Sequence, residues 1–171
     1  MSKLDQYTDE EWNKISALPQ LVGGIIAGAD SSGLVGSTKE MFETAKSYIG
    51  GREQFPNNTL IQAIVPNTTD PKAAIDDVKG QRKRILDHIK GYGVKSKEEL
   101  AVKVLADCSA TMHLLKEKES EETVTEYKTW LLNIAENVAN AGTEGDFLGF
   151  GGVQFSDKEK AVFNTLKETL G

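Results

Sequence analysis

EETVTEYKTWLLNIAENVANA, residues 121–141, is the stretch whose reading decides the fold. Val124, Tyr127, Leu131, Ile134, Val138 and Ala141 follow one another at steps of three and four, the spacing of side chains on one side of an α-helix. The segment before it, residues 97–118, repeats the pattern with Ala101, Leu105, Cys108, Met112 and Leu115, and Leu100, Val104 and Leu114 widen the stripe. Only the charged connection KEKESEE separates the two seams. Two such helices joined by a short link are expected to pack as an antiparallel pair.

Helical spacing extends outward in both directions, and alternation of period two is almost absent. Residues 71–90 open with Asp70 and Pro71, a capping residue followed by a first-turn proline. Their buried face is expected to carry Ile75, Val78, Ile85, Leu86 and Ile89, and Gly91 and Gly93 should end the helix. Residues 9–29 read as helical on Trp12, Ile15, Leu18, Val22, Ile25, Ile26 and Ala29, with a kink or split expected at Pro19, where a backbone donor is missing. Gly24 and Gly28, four apart, would let a neighbouring helix, or a second copy of the chain, approach closely. Residues 38–49 form another helix on Met41, Phe42, Ala45, Tyr48 and Ile49, expected to break at Gly50 and Gly51. The apolar segment LIQAIV and a last helix over 157–170, with Ala161, Val162, Leu166 and Leu170 inward, complete the chain. The expected fold is all-α, a single compact domain over 1–171 containing six or seven helices, with residues 1–7 flexible.

Bulk properties agree with this. The 171 residues suffice for one sizeable core. Apolar residues make up 39% and charged residues 27%, which excludes wholesale disorder and a membrane-embedded chain. The longest apolar run, LVGGIIAGA, falls well short of a bilayer span, and the polar opening MSKLDQYTDEEW is unlike a secretory signal. Neither membrane insertion nor export is expected. A net charge of −6 disfavours nucleic acid as a partner. The basic segment around Arg82, Lys83, Arg84 and Lys90 reads as a solvated helix end with Asp76, Asp77 and Asp87 nearby. One cysteine, Cys108, permits no internal disulfide and fits a cytoplasmic location.

Four tetrads of the form S/T-x-x-E stand before apolar-periodic segments: Thr8 to Glu11, Ser37 to Glu40, Ser96 to Glu99 and Ser156 to Glu159. In a capping box the hydroxyl accepts from one unpaired helix N–H and the glutamate reaches back to another. That gives Glu40 and Glu159 a structural role at positively polarised helix ends. Two of these tetrads belong to a longer repeat, G-[LV]-x-x-S-x-K-E, which fits Gly33 to Glu40 and Gly152 to Glu159 without a gap.

An apolar helix running into an acidic, glycine-containing loop and then S-x-x-E, present twice in an all-helical chain, resembles the TerB family of tellurite-resistance and stress proteins. The resemblance implies a compact helical domain with internal pseudo-symmetry and divalent-metal binding at the two loops. It makes Asp30 and Glu40 the first ligand pair and Glu159 part of a second, to which Glu144 and Asp146 could add oxygens. The loops depart from the family pattern: Ser31 and Ser32 separate Asp30 from Gly33, and Phe150-Gly151 precedes Gly152 where an aspartate is expected. Hard cations want six or more oxygen ligands, so a divalent cation at loops 30–40 and 144–159 stands as the alternative to simple capping.

The remaining candidates favour structure over chemistry. GFGG at 149–152 lacks the strand and immediate helix of a dinucleotide site; Phe147, Leu148 and Phe150 are expected to tuck over the bundle. Cys108 and His113, five apart on a helix, point in different directions and make no nucleophile and base pair. Neither His88 nor His113 has the glutamate partner of a helical metal motif. An enzyme would have to assemble its site from distant groups such as Asp30, Asp107, His113 and Glu136. A non-enzymatic helical binding domain, acting on a protein partner, on itself or on a metal ion, is the expected class. No organic cofactor is expected.

Overall fold

The computed structural model describes residues 3–30, 38–67, 71–143 and 156–171. After a 3-10 turn at Lys3–Gln6 come α1 (Asp9–Asp30), α2 (Thr38–Gln54), α3 (Thr59–Ile64), α4 (Pro71–Tyr92), α5 (Lys97–Lys118), α6 (Glu121–Thr143) and α7 (Asp157–Leu170). The protein is an all-α bundle, with no strand among the described residues. No described helix is long and apolar enough to cross a membrane.

The bundle is organised around α1. Ile15, Leu18, Val22 and Ile26 are buried on one side, and Ala17, Leu21 and Ile25 beside them are buried as well. A helix apolar around so much of its circumference must be surrounded, and α1 is packed by α2, α4, α5, α6 and α7. This insertion corrects the expected α5–α6 pair: α6 packs chiefly on α2 and α1, α5 packs on α1 and α7, and the two meet only marginally. The α5 seam accordingly centres on Leu100, Val104, Cys108, Thr111 and Leu115, with Ala101, Leu105 and Leu114 only partly covered.

Pro19 does not break α1, which runs continuously from Asp9 to Asp30. The carbonyl that Pro19 leaves without its helical donor belongs to Ile15, four residues back. The hydroxyl of fully buried Tyr127 on α6 donates to that oxygen at 2.7 Å. A tertiary hydrogen bond therefore replaces the one the proline removed.

Gly50 and Gly51 do not end α2, which continues to Gln54. Gly51 is needed for contact: a Cβ there would lie 2.3 Å from Nε1 of the buried Trp130. Gly23 on α1 has the same role against Thr44 of α2, where a Cβ would come within 2.4 Å. Gly24, expected to allow the close approach, would meet nothing within 4 Å. The smallest residue is thus used one position earlier, on the α1–α2 contact.

Polar side chains fix the corner after α2. Arg52 donates to the carbonyls of Gln62 and Val65 at 2.7 and 2.9 Å. Gln62 returns two bonds to the carbonyls of Arg52 and Phe55. The buried Asn58 caps α3 by accepting from Leu60 and Ile61, and its amide donates to Thr123 O and Glu126 on α6. The chain just before α1 also contacts the bundle at Gln6 and Tyr7. Tyr7 is buried and donates to Glu119, while the Lys118 ammonium sits 5.1 Å from the Tyr7 ring centroid and donates to Gln6 O.

Candidate functional site

The S/T-x-x-E tetrads come first, because the expected metal ligands belong to them. Ser156 accepts from the Glu159 N–H at 3.1 Å and Glu159 accepts from the Ser156 N–H at 2.8 Å, closing a capping box at the start of α7. Thr8 and Glu11 form the same pair of bonds. At α5, Ser96 caps the Glu99 N–H and Glu99 reaches back one residue further, to Lys95 N–H. Glu40 and Glu159 each occupy the third position of a helix, α2 and α7, and both are buried. Glu144, Asp146, Ser37 and Asp70 lie outside the described residues, as do the 31–37 loop, the side chain of Asp30 and the aromatic-bearing segment 147–150. Among the described residues no three His, Cys, Asp or Glu side chains gather as a cation would require. Of the expected ligands, Glu159 has an oxygen committed to its own helix N-terminus.

Titratable groups converge elsewhere, where α4 meets α5 and α1. Asp107 of α5 accepts from Tyr92 Oη at 2.7 Å, lies 3.1 Å from His88 Nε2, and pairs with Lys14 of α1 at 3.4 Å. His88 Nε2 is also 2.9 Å from Tyr92 Oη. The single Tyr92 hydroxyl proton is directed at Asp107, so Nε2 must be the donor in its own two contacts and carries a proton. Burial works to raise the Asp107 pKa, but hydrogen bonds from His88 and Tyr92 and the nearby Lys14 ammonium outweigh it and hold the carboxyl below its usual range. Burial and the Asp107 carboxylate together push the Tyr92 phenol far up. Neighbouring Cys108 is fully buried, with its thiol pushed up to about 12, so it supplies no thiolate nucleophile at neutral pH.

The cluster therefore works as a latch. Each of its members is satisfied by the others, and together they pin the C-terminal half of α4. His113 and Glu136, the other described residues from which an enzyme site might have been assembled, are exposed and take no part in it.

Asp107→Asn keeps the shape of the latch and removes its charge. The variant is expected to lose about 1.5–3 kcal/mol at pH 7 in urea unfolding, the range for hydrogen bonds to a charged group. Because the folded-state pKa is depressed, this stabilisation is present above the unfolded carboxylate value, near 3.8, and is lost as pH falls through the folded value. The gap between variant and parent should hold from pH 7 to pH 5 and close toward pH 3. A constant gap would assign the loss to shape.

One turn before the latch, α4 stands away from α1. Its described residues are at best half-buried, and Leu86, expected inward, is 46% exposed. The gap is a groove of about 380 Å³, within the usual range for small-molecule sites. Trp12, Asn13, Ser16 and Gln20 line it from α1, Gln81, Arg84 and Ile85 from α4, and Tyr48 and Ala63 close it from α2 and α3. Gln20 Nε2 donates to Gln81 Oε1 at 2.9 Å and bridges the two walls. Among the described residues Arg84 forms no hydrogen bond or ion pair and no acidic side chain lines the groove. Neither feature was visible in the sequence, where Arg84 reads as one of several cations on a solvated helix face.

A further surface lies on α2, whose outer face leaves Met41, Phe42 and Ile49 exposed. No family model matches the chain, and no curated protein or solved structure matches it.

Proposed function

We propose that this protein is a non-enzymatic helical binding domain, akin to the TerB-like stress proteins its two loops resemble, which holds a small molecule in the groove between α1 and α4. The observation that carries the reading is the character of the lining. The groove brings together a guanidinium, carboxamides and an aromatic wall, with no cysteine, histidine, lysine or carboxylate among its described lining residues. Catalysis by acid–base or nucleophilic routes needs such groups. Among the described lining residues the one hydroxyl besides Tyr48 is that of Ser16, which donates to the Asn13 carbonyl at 3.3 Å, and no base stands beside it. Recognition needs only convergent polar groups against an apolar wall, and these are present. A cytoplasmic location belongs to the same proposal, resting on the single buried cysteine.

The test is a two-dimensional NMR titration of the full chain with benzoate, benzamide and benzylamine. At least one of them should shift the amides of Asn13, Gln20 and Gln81 saturably. Ala63→Trp, which fills the groove from an exposed position, should abolish those shifts. If none of the three compounds perturbs the groove, the reading fails.

A further inference from the structure

The groove's polar groups also define what it would hold, an inference that rests on the binding role proposed above. Hydrogen-bonding capacity here is unevenly divided. Arg84 brings five N–H donors in a planar fork. The Asn13 amide and the Nε2 of Gln81 have no partner among the described residues and add four more N–H donors. Gln20 spends an amide proton on Gln81 Oε1. Formal negative charge is absent from the described lining residues, although the chain carries 26 acidic residues against 20 basic ones. Among the described residues, a cation would meet Arg84 with no carboxylate to offset it, and a neutral ligand would leave the guanidinium without a partner.

We infer that the α1–α4 groove is a receptor site for a small organic carboxylate with an aromatic body, its carboxylate held by Arg84 and its ring set against Trp12. The guanidinium fork matches the two oxygens of a carboxylate, and charge-assisted bonds of this kind are roughly twice as strong as neutral ones. One cation among the described lining residues matches a monoanion, whereas phosphate sites gather several donors and cations. Trp12 of α1 and Ile85 of α4 line the same groove as Arg84, so a flat apolar body attached to the carboxylate finds a wall of its own kind. The latch one turn away makes Arg84 a prepared partner: His88 and Tyr92 hold α4 through Asp107, which fixes the helix on which Arg84 is mounted.

The same NMR titration decides this with charge as the only variable. Benzoate is expected to bind with a Kd of about 1 mM, reasonable for a fragment of its size. Benzamide, of the same shape without the charge, should bind about 2- to 5-fold more weakly, the factor of an ion pair made at an exposed guanidinium. Arg84→Gln should reduce benzoate to the level of benzamide while leaving benzamide unchanged. Arg84 is exposed and makes no described bond, so the variant should retain the parent spectrum and melting temperature, and this is checked first. Equal binding of benzoate and benzamide, or benzoate binding indifferent to Arg84→Gln, would overturn the carboxylate assignment and leave the groove as a binding site. Preferential binding of benzylamine would overturn it too. Silence of all three compounds would remove the groove itself.

Discussion

Replacing Gly51 with valine is expected to cost about 3 kcal/mol, the upper part of the range for overpacking a well-filled site, whereas Gly50→Ala is expected to stabilise the protein by about 0.5–1 kcal/mol. The two glycines are neighbours inside the same helix and differ only in what surrounds them. At Gly50 a Cβ would meet nothing within 4 Å, so alanine gains helix propensity at no steric cost. At Gly51 a Cβ would sit 2.3 Å from Nε1 and 2.5 Å from Cε2 of Trp130. Trp130 has little freedom to retreat, because its ring stacks on Tyr48 at 5.6 Å and meets the edge of Tyr127 at 5.9 Å. Displacing it also breaks the bond from Nε1 to Ser47 O, 3.2 Å long. Urea unfolding should show opposite shifts of the midpoint for the two variants. Equal shifts would mean that α2 and α6 are not in close contact at Gly51.

The helices were legible in the sequence because each rests on local spacing. Residues 97–118 and 157–170 match α5 and α7 at nearly every boundary, since serine caps and glutamates at the third position mark where the apolar phase begins. Misreadings arose wherever a distant residue alters a local rule. Gly51 looks like a helix breaker until Trp130, seventy-nine positions later, makes it the contact residue. Chain proximity alone makes an α5–α6 hairpin look sufficient, but α1 has the greater apolar circumference and competes for both partners. Burial on several sides of α1 leaves it no stable place outside the bundle, and α5 and α6 part to admit it.

The site was less legible still. Asp107 stood out as a polar group beside an apolar seam, and His88 and Tyr92 lie four apart, which places them on one helix face. Nothing in their spacing says that Asp107 faces them. The groove is harder to foresee, since it depends on how far α4 stands from α1. No local spacing pattern encodes that separation, which shows only in the partial burial of the described α4 residues. Arg84 gains its significance only there: on a solvated helix it would be one cation among several, but with Trp12, Asn13 and Gln81 it is the sole charge among the described residues of a concave lining.

Tyr127→Phe is expected to destabilise the protein by about 2 kcal/mol, and most of that loss should vanish in a Pro19→Ala background. With Tyr127 present, the Ile15 carbonyl accepts a bond of 2.7 Å in a fully buried setting. Phenylalanine keeps the ring packing and removes the donor, leaving that oxygen unpaired away from water, at a cost of about 1–3 kcal/mol. In Pro19→Ala the new backbone N–H at position 19 can donate to Ile15 O in the ordinary helical way, so the tyrosine hydroxyl is no longer needed there. The double-mutant cycle should give a coupling of about 1–2 kcal/mol between residues 19 and 127, although one is a proline with no hydrogen to donate and the bond in question belongs to neither backbone partner of the other. Burial pushes the Tyr127 phenol well above its ordinary value, so its proton stays in place across the accessible pH range and the coupling should not change between pH 5 and pH 9. Additive effects, with no coupling, would show that α1 tolerates the proline by bending its own backbone, and that the hydroxyl of Tyr127 contributes independently of it.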